Sequence, residues 1–442
     1  TCALPISGAW HGNAQFFVQN DKLNSGRHLS PTKPPYNEHQ LGFDISGPLL
    51  PGKLTTGFNV SHNQNENVTS INAHVPDGSP TGAPYNKTVV RPSTQRNFST
   101  NGVYQLNESN SLRYGIQKRS QVSKNQNLGE FTLEERAATQ RNNNSNFEIR
   151  QFSAISPRTL FESSLQLQRN HNRRTPASQG VQINITNVFN SGGAQNDLDN
   201  KQDNYQFSTL LTRLGEKLTI KTGAEGAHRR NDSFSKNTFV GAFTFLNLQD
   251  YYDGKPLQYR IGRGNPRFKF NQTEVGMFMQ NDLKLSPRLT FMYGVRYEIQ
   301  TNISDHNNWD PRIAFAYGLG KATVIRAGAG VFHQRIQNNT LENAARENGD
   351  VQYTLVLNFP TYPDPFVGGT ASTTPRSIRV LDRDLAAPYV LAYMASYERT
   401  FFTNLFVSVL YDYTVDVHRV RTRNTNAPRD TRSAVQIGRA HV

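Results

Sequence analysis

The chain has one cysteine, Cys2, in 442 residues. That excludes a disulfide framework and any cysteine-built metal site. No stretch approaches the run of about 18 apolar residues that a membrane-spanning helix needs, so the chain can meet a bilayer only through strands. Apolar residues make up 36 % and the mean hydropathy is -0.64, a balance that in a soluble protein points to disorder. The aromatic content argues the other way, with 18 Tyr and 26 Phe. A chain that is polar overall yet rich in aromatics suits a fold with one thin apolar face, one wet face and large exposed loops. Transmembrane β-barrels are built in this way. A length of 442 residues would by default mean several globular domains, and the composition argues against that default.

Acidic residues are in deficit, which leaves a formal charge of +14. The basic residues are scattered singly, without a long run or a basic helix, so a solvated Arg-rich surface is expected and no nucleic-acid partner.

The dominant local pattern is alternation over long segments, the mark of a strand with one apolar face. From Pro287 to Glu298, Leu289, Phe291, Tyr293, Val295 and Tyr297 oppose Thr290, Met292, Gly294, Arg296 and Glu298. From Asn404 to Asp416, Leu405, Val407, Val409, Tyr411 and Tyr413 oppose Ser408, Asp412 and Thr414. From Glu274 to Leu285, Val275, Met277, Met279, Leu283 and Leu285 oppose Gly276, Gln280, Asp282 and Lys284. These segments match the roughly 9 to 11 residues of a tilted bilayer crossing and exceed the ordinary strand of about 5 or 6. Tyr297, Tyr317, Tyr389 and Tyr413 fall near strand ends, where an interfacial girdle wants amphipathic rings, although β-propensity alone also favours Tyr there.

A short turn recurs between such segments: Leu49–Thr55, Leu214–Thr219 and Leu285–Thr290, with looser copies at Ile155–Leu160 and Leu319–Thr323. Each turns on Gly, Pro or Ser, as tight hairpins do. Between the hairpins lie polar stretches at 63–93, 121–146, 170–203, 230–268 and 335–387, read as long loops. Alternating short and long connections are the rule for outer-membrane barrels. The predicted fold is therefore an all-β, antiparallel transmembrane barrel of roughly 15 strands, with short periplasmic turns and long extracellular loops. An odd count is not expected of a finished bacterial barrel, so this is read as a partial one. The tips agree. Thr1-Cys2-Ala3-Leu4-Pro5-Ile6-Ser7 and Gln436-Ile437-Gly438-Arg439-Ala440-His441-Val442 can be encoded by one DNA sequence and its reverse complement, as a sequencing adapter read through at both ends would be. Residues 1–7 and 436–442 are expected to be artefact and 8–435 the partial barrel domain.

Several stretches resemble TonB-dependent outer-membrane receptors, in particular the large-barrel group with a carboxypeptidase-regulatory-like N-terminal domain. They are Trp10-His11-Gly12-Asn13-Ala14-Gln15-Phe16-Phe17, Gln40 through Leu49, Gln280 through Thr290 followed by Gly294-Val295-Arg296-Tyr297-Glu298, Asp310-Pro311-Arg312 with Ala314-Phe315-Ala316-Tyr317, and Thr323 through Gly328. The resemblance runs in register from about Gly8 to Pro428. It implies a barrel of about 22 strands with a plugged lumen. It also implies a receptor that binds a large or scarce solute for energy-coupled uptake into the periplasm. The implied partners are outer-membrane lipid, the unknown solute and a periplasmic TonB-type protein acting through an N-terminal region absent from this sequence. A passive porin, told apart by a signal peptide directly ahead of Gly8, and a surface adhesin are the alternatives.

No catalytic constellation, cofactor motif or zinc-ligand spacing stands out, so no enzyme activity is expected. Gly328-Ala329-Gly330-Val331 has part of a dinucleotide fingerprint, but it lies in an alternating strand, and glycines facing a crowded lumen explain it better. Asp197, Asp199 and Asp203 are read as a solvated acidic turn at a loop tip in preference to a calcium site. Glu342–Glu347 is read as polar loop with one transient turn in preference to a helix. Arg296, Glu298, Arg326 and Asp412 are candidate lumen contacts for plug or substrate, with mutual pairing inside a wet barrel the favoured role.

Overall fold

The computed structural model describes residues 8–23, 33, 35–320, 322–367, 376–402 and 405–425. The tips 1–7 and 436–442 lie outside the described residues. Fifteen strands form one antiparallel sheet in which each pairs with the next. They are β1 (His11–Asn20), β2 (Asn37–Leu50), β3 (Leu54–Val75), β4 (Ala83–Asn107), β5 (Asn110–Gln126), β6 (Ala138–Ser156), β7 (Thr159–Pro176), β10 (Leu198–Leu214), β11 (Leu218–Ser235), β14 (Arg267–Ser286), β15 (Leu289–Gln300), β16 (Asn308–Leu319), β17 (Thr323–His333), β20 (Tyr389–Phe401) and β21 (Leu405–Val417). The remaining strands are β8 (Gln182–Ile185), β9 (Phe189–Ser191), β12 (Ala242–Phe245), β13 (Gln258–Gly264), β18 (Gln352–Asn358) and β19 (Arg376–Ser377), which form a second, six-stranded sheet. Helices α1 (Leu248–Tyr252) and α2 (Asn338–Arg346) lie in the connections. The large sheet has β1 and β21 as its edges and does not close on itself among the described residues.

The expected short turns all lie at one end of this sheet. Leu50–Leu54, Ser156–Thr159, Leu214–Leu218, Ser286–Leu289 and Leu319–Thr323 each join neighbouring strands, as do Asn107–Asn110 and Phe401–Leu405. Several carry a register shift beside the turn, between Pro48 and Leu50 and between Lys284 and Ser286 for example. That is the bulged geometry of a tight hairpin.

Register carries the alternation across strands. Met279 pairs with Val295, Val295 with Pro311, Tyr293 with Ile313, Ile313 with Ala329, Ala329 with Tyr393 and Tyr393 with Tyr413. Many of these side chains are exposed, among them Val295, Ile313, Tyr393 and Tyr413. A continuous apolar face of this extent is a lipid-facing band, not the surface of a soluble monomer. From Trp309 to Tyr317 the band covers about eight steps, roughly 27 Å of strand at ~3.4 Å per residue. Tilted as barrel strands are, it comes near the roughly 25 Å apolar belt of such proteins. At one margin Tyr297 lies tilted against Trp309 with centroids 4.6 Å apart, and within the band Tyr393 faces Tyr413 at 6.2 Å.

The polar stretches at 63–93, 121–146, 170–203 and 230–268 are not simply loops. β3 spans 22 residues and β4 spans 25, about twice a bilayer crossing, and the ladder continues through the Asn- and Gln-rich segments. Alternation in hydropathy reports only where a strand meets lipid. Where both faces meet water, pairing persists without that signal. Within the remaining connections, three supply the second sheet: β7 to β10, β11 to β14, and β17 to β20. Its apolar positions, Ile185, Phe243, Phe245, Tyr259, Ile261, Leu355 and Leu357, pack with Ile71 and Ala73 of β3 into one buried core. The 335–387 stretch also departs from expectation, because α2 forms a true helix. Its Leu341 is 0 % exposed and packs with Phe270 and Ile336. Burial of Leu341 supplies what a short polar helix lacks in isolation.

Candidate functional site

Opposite the lipid band, the register gathers the other parity onto an inner face. Arg296 pairs with Asp310, Arg326 with Ala316 and Ser396, and Asp412 with Met394. All four predicted residues, Arg296, Glu298, Arg326 and Asp412, therefore lie on that face. They do not form one site. Arg296 forms ion pairs with Glu298 and with Glu225 of β11. Arg326 pairs with Glu398. Asp412 makes no ion pair among the described residues and sits on the edge strand β21.

The network around Arg296 has a second centre that the sequence does not reveal. Arg335, just beyond β17, reaches Glu225 at 2.8 Å, Glu274 at 2.9 Å and Glu298 at 3.3 Å. Two guanidiniums thus hold three carboxylates from β11, β14 and β15. Gln300 locks the next residue, its Nε2 donating to the Ile336 carbonyl at 3.0 Å and its Oε1 accepting from the Ile336 amide at 3.0 Å. Asn231 Nδ2 then donates to Glu342 of α2 at 2.6 Å. The segment after β17 is in this way folded against the inner face of the upper wall. Glu274 was reachable from sequence, since it shares the parity of Gly276, Gln280 and Asp282. Arg335 was not, because a loop residue has no periodicity to place it.

Asp310, 1 % exposed, accepts from His333 Nδ1 at 2.6 Å and from the His333 amide at 2.9 Å. Beside it, the Arg312 guanidinium lies 4.2 Å from the centroid of Phe332. Gly330 makes room for that stack, since a Cβ there would come within 3.0 Å of the Phe332 ring and 3.1 Å of Arg312. The glycines of Gly328-Ala329-Gly330-Val331 therefore serve close packing on the inner face. A concavity of about 690 Å³ follows, with Met292, Arg296, Arg312, Phe332, Met394 and Asp412 in its wall.

The acidic trio is not one turn at a loop tip. Asp199 and Asp203 lie within β10, and Asp197 is in the connection immediately before it. Asp199 meets His171 at 2.6 Å and Arg173 at 3.8 Å, and Asp203 meets Arg169 at 2.6 Å. These cross-strand basic partners use the carboxylates that a cation would need. No group of His, Cys, Asp and Glu suited to a metal ion occurs among the described residues.

An apolar outer band, a charged inner face, tight turns at one end and elaborated connections at the other are the features of a membrane barrel wall. The family model described as the outer membrane beta barrel domain matches residues 62–308 and 302–440. The chain belongs to this outer-membrane β-barrel family. Its place is the bacterial outer membrane. The barrel is 26 % identical over 215 residues to the TonB-dependent transporter Oar of Myxococcus xanthus, a match covering 42 % of this chain and 20 % of that protein. Among solved structures it is similar to the outer membrane transporter YddB of Escherichia coli, with a TM-score of 0.61 and 10 % identity over 91 % of this chain and 52 % of that one. The ferric enterobactin receptor PfeA of Pseudomonas aeruginosa aligns with a TM-score of 0.54 at 12 % identity, over 92 % of this chain and 53 % of that one. These structural likenesses establish the fold. The barrel chain spans about half the length of these solved relatives.

Proposed function

We propose that this chain is the wall of an energy-coupled receptor that binds a large or scarce solute at its outer face and delivers it to the periplasm. The observation that carries the reading is the inward-folded connection after β17, pinned to three strands through Arg335. A segment tied across the inner face narrows any passive route, and solute capture followed by a driven release fits such a mouth better than free diffusion. The similarity to a TonB-dependent transporter supports a periplasmic TonB-type partner acting through a region outside this sequence. No covalent chemistry is required of the wall, and the chain is read as a non-enzyme.

Within this reading the four inner-face residues divide. Arg296 and Glu298 hold the wall and the Arg335 segment together, whereas Arg326 and Asp412 are the contacts proposed for solute or plug. The rival reading is a passive channel. The test is the full reading frame, translated from DNA recovered on both sides of this coding sequence and reconstituted in a planar bilayer. Negligible conductance, with uptake into cells that depends on the energy partner, is the expected result. A large steady conductance without that partner sinks the receptor reading. The same flanking DNA tests whether residues 1–7 and 436–442 are adapter-derived, because authentic sequence would replace them.

A further inference from the structure

The second sheet has two faces of opposite character. Its apolar face forms the core described above. Its polar face carries Gln182 and Asn184 of β8, Thr244 of β12, and Gln258 and Arg260 of β13, brought together by register: Thr244 pairs with both Asn184 and Gln258. This face, Arg174 of β7 and neighbouring connections that contribute Arg136, Gln195, Asn196 and Thr238 line a second, half-open cavity of about 620 Å³, well within the ~300–1,000 Å³ of ligand pockets.

Its lining is unusual in charge. Arg136, Arg174 and Arg260 contribute three guanidiniums, and no Asp or Glu lines it. Arg136 is held by Asn184 Oδ1 at 2.6 Å and Arg174 by Gln140 Oε1 at 3.0 Å, both neutral amides. Burial pushes the Arg136 guanidinium below its ordinary value, with Glu135 only partly offsetting it. Glu135 itself is occupied by the Gly192 amide at 2.8 Å. Arg174 Nε, Gln195 Oε1 and Asn196 Oδ1 are buried without a hydrogen-bond partner, a costly state for polar atoms unless a ligand or water satisfies them. Apart from two alanines, amides and hydroxyls complete the wall, and it contains no aromatic ring.

Three guanidiniums with no salt bridge among the described residues and no carboxylate in the cavity wall call for an anion, and planar guanidinium forks match carboxylate or phosphate oxygens. Amides and hydroxyls both donate and accept, which suits alcohol groups. The absence of rings leaves no stacking surface for an aryl ligand. We propose that this cavity is a subsite for an anionic, hydroxyl-rich solute of the sugar-acid or sugar-phosphate type, taken up at the outer face. The inference rests on the receptor reading and assigns its substrate class.

The test is calorimetric titration of the complete protein in detergent with digalacturonate, maltose 1-phosphate and neutral maltose. One or both anions should bind, which separates carboxylate from phosphate recognition, and maltose should bind at least tenfold more weakly. The double substitution Arg174→Gln with Arg260→Gln should weaken anion binding at least tenfold. Maltose binding as tightly as the anions, or no binding by either anion, overturns the proposal. If the double variant fails to fold, the salt dependence of the unaltered protein decides: anion affinity must fall as ionic strength rises, and a salt-independent affinity overturns it. Anion binding without energy-dependent uptake would defeat the receptor reading and leave the subsite standing. Energy-dependent uptake of another solute, with no anion binding, would defeat the subsite alone.

Discussion

Between Trp309 and Tyr317 the large side chains of the wall point away from the protein, while between Ala242 and Phe245 they point into it. The two stretches use similar residues in similar alternation. In the wall, Ile313 and Phe315 are exposed; in the second sheet, Phe243 and Phe245 are buried. The same hydrophobic effect produces both outcomes, because the surrounding solvent changes from hydrocarbon to water along the molecule. The wall needs no apolar core, since lipid covers its outer face and its inner face carries ion pairs around an open concavity. The outer layer must build a soluble core of its own, and it does so from three connections.

The contrast can be broken from either side. Phe245→Ala should have the largest effect, about 3–5 kcal/mol for loss of a fully buried aromatic. That loss should fall on the outer layer alone. Limited proteolysis should then cut between residues 242 and 262 much faster, while the urea midpoint of the wall stays where it was; a lowered midpoint would mean that the two regions are one cooperative unit. Ile313→Arg inverts the experiment. Placed near the middle of the lipid band, it should cost about 2–4 kcal/mol of wall stability in vesicles. An unchanged unfolding midpoint would show that this face does not meet lipid.

Arg335→Gln should come next, at about 1–3 kcal/mol, since it leaves Glu225, Glu274 and Glu298 short of a donor. Hydrogen exchange should rise in α2 and its flanks and not in β14 or β15. Equal deprotection of those strands would assign Arg335 to the wall. The smallest effect concerns Tyr85 and Lys87 at the start of β4 and Glu134 in the connection from β5 to β6. Tyr85 Oη donates to Glu134 at 2.9 Å and Lys87 Nζ lies 2.6 Å from it. Burial pushes the Glu134 carboxyl up, but hydrogen bonds from Lys87, a backbone amide and Tyr85, with the Lys87 charge, together outweigh that and hold it below its usual 4.5. Its contribution is complete above that pH and is lost as pH falls through the depressed value. The exposed partner limits the effect to under about 1 kcal/mol. Acid should therefore raise protease sensitivity near residue 134 in the natural protein, and by less in Lys87→Met, where only Tyr85 and the backbone still hold the carboxylate; an equal rise in both would show that Lys87 contributes nothing.

How much of this was legible depended on whether a segment's pattern is local. β15 and β21 could be read because each presents at least five outward apolar positions in one run. The turns could be read because Gly, Pro and Ser punctuate them. The second sheet could not. Ile183 and Ile185, Phe243 and Phe245, Tyr259 and Ile261, Leu355 and Leu357 are pairs of positions separated by tens of residues, each too short to stand out. The inner-face parity of Arg296, Glu298, Arg326 and Asp412 followed from alternation, whereas their partners followed only from register between strands. α2 reads as loop in the sequence because its one decisive residue, Leu341, gains its meaning from Phe270 on another strand.

The seven tight turns at one end and the elaborated connections at the other divide the molecule's freedom to change. A residue inserted into Leu50–Leu54 or Ser286–Leu289 would shift a whole strand by one position and turn its lipid face inward. A residue inserted between β7 and β10 lengthens a connection that already carries its own small sheet, and the wall's register is untouched. Insertions can therefore accumulate at the outer end, over many generations of sequence drift, on a wall whose hairpin end stays nearly fixed.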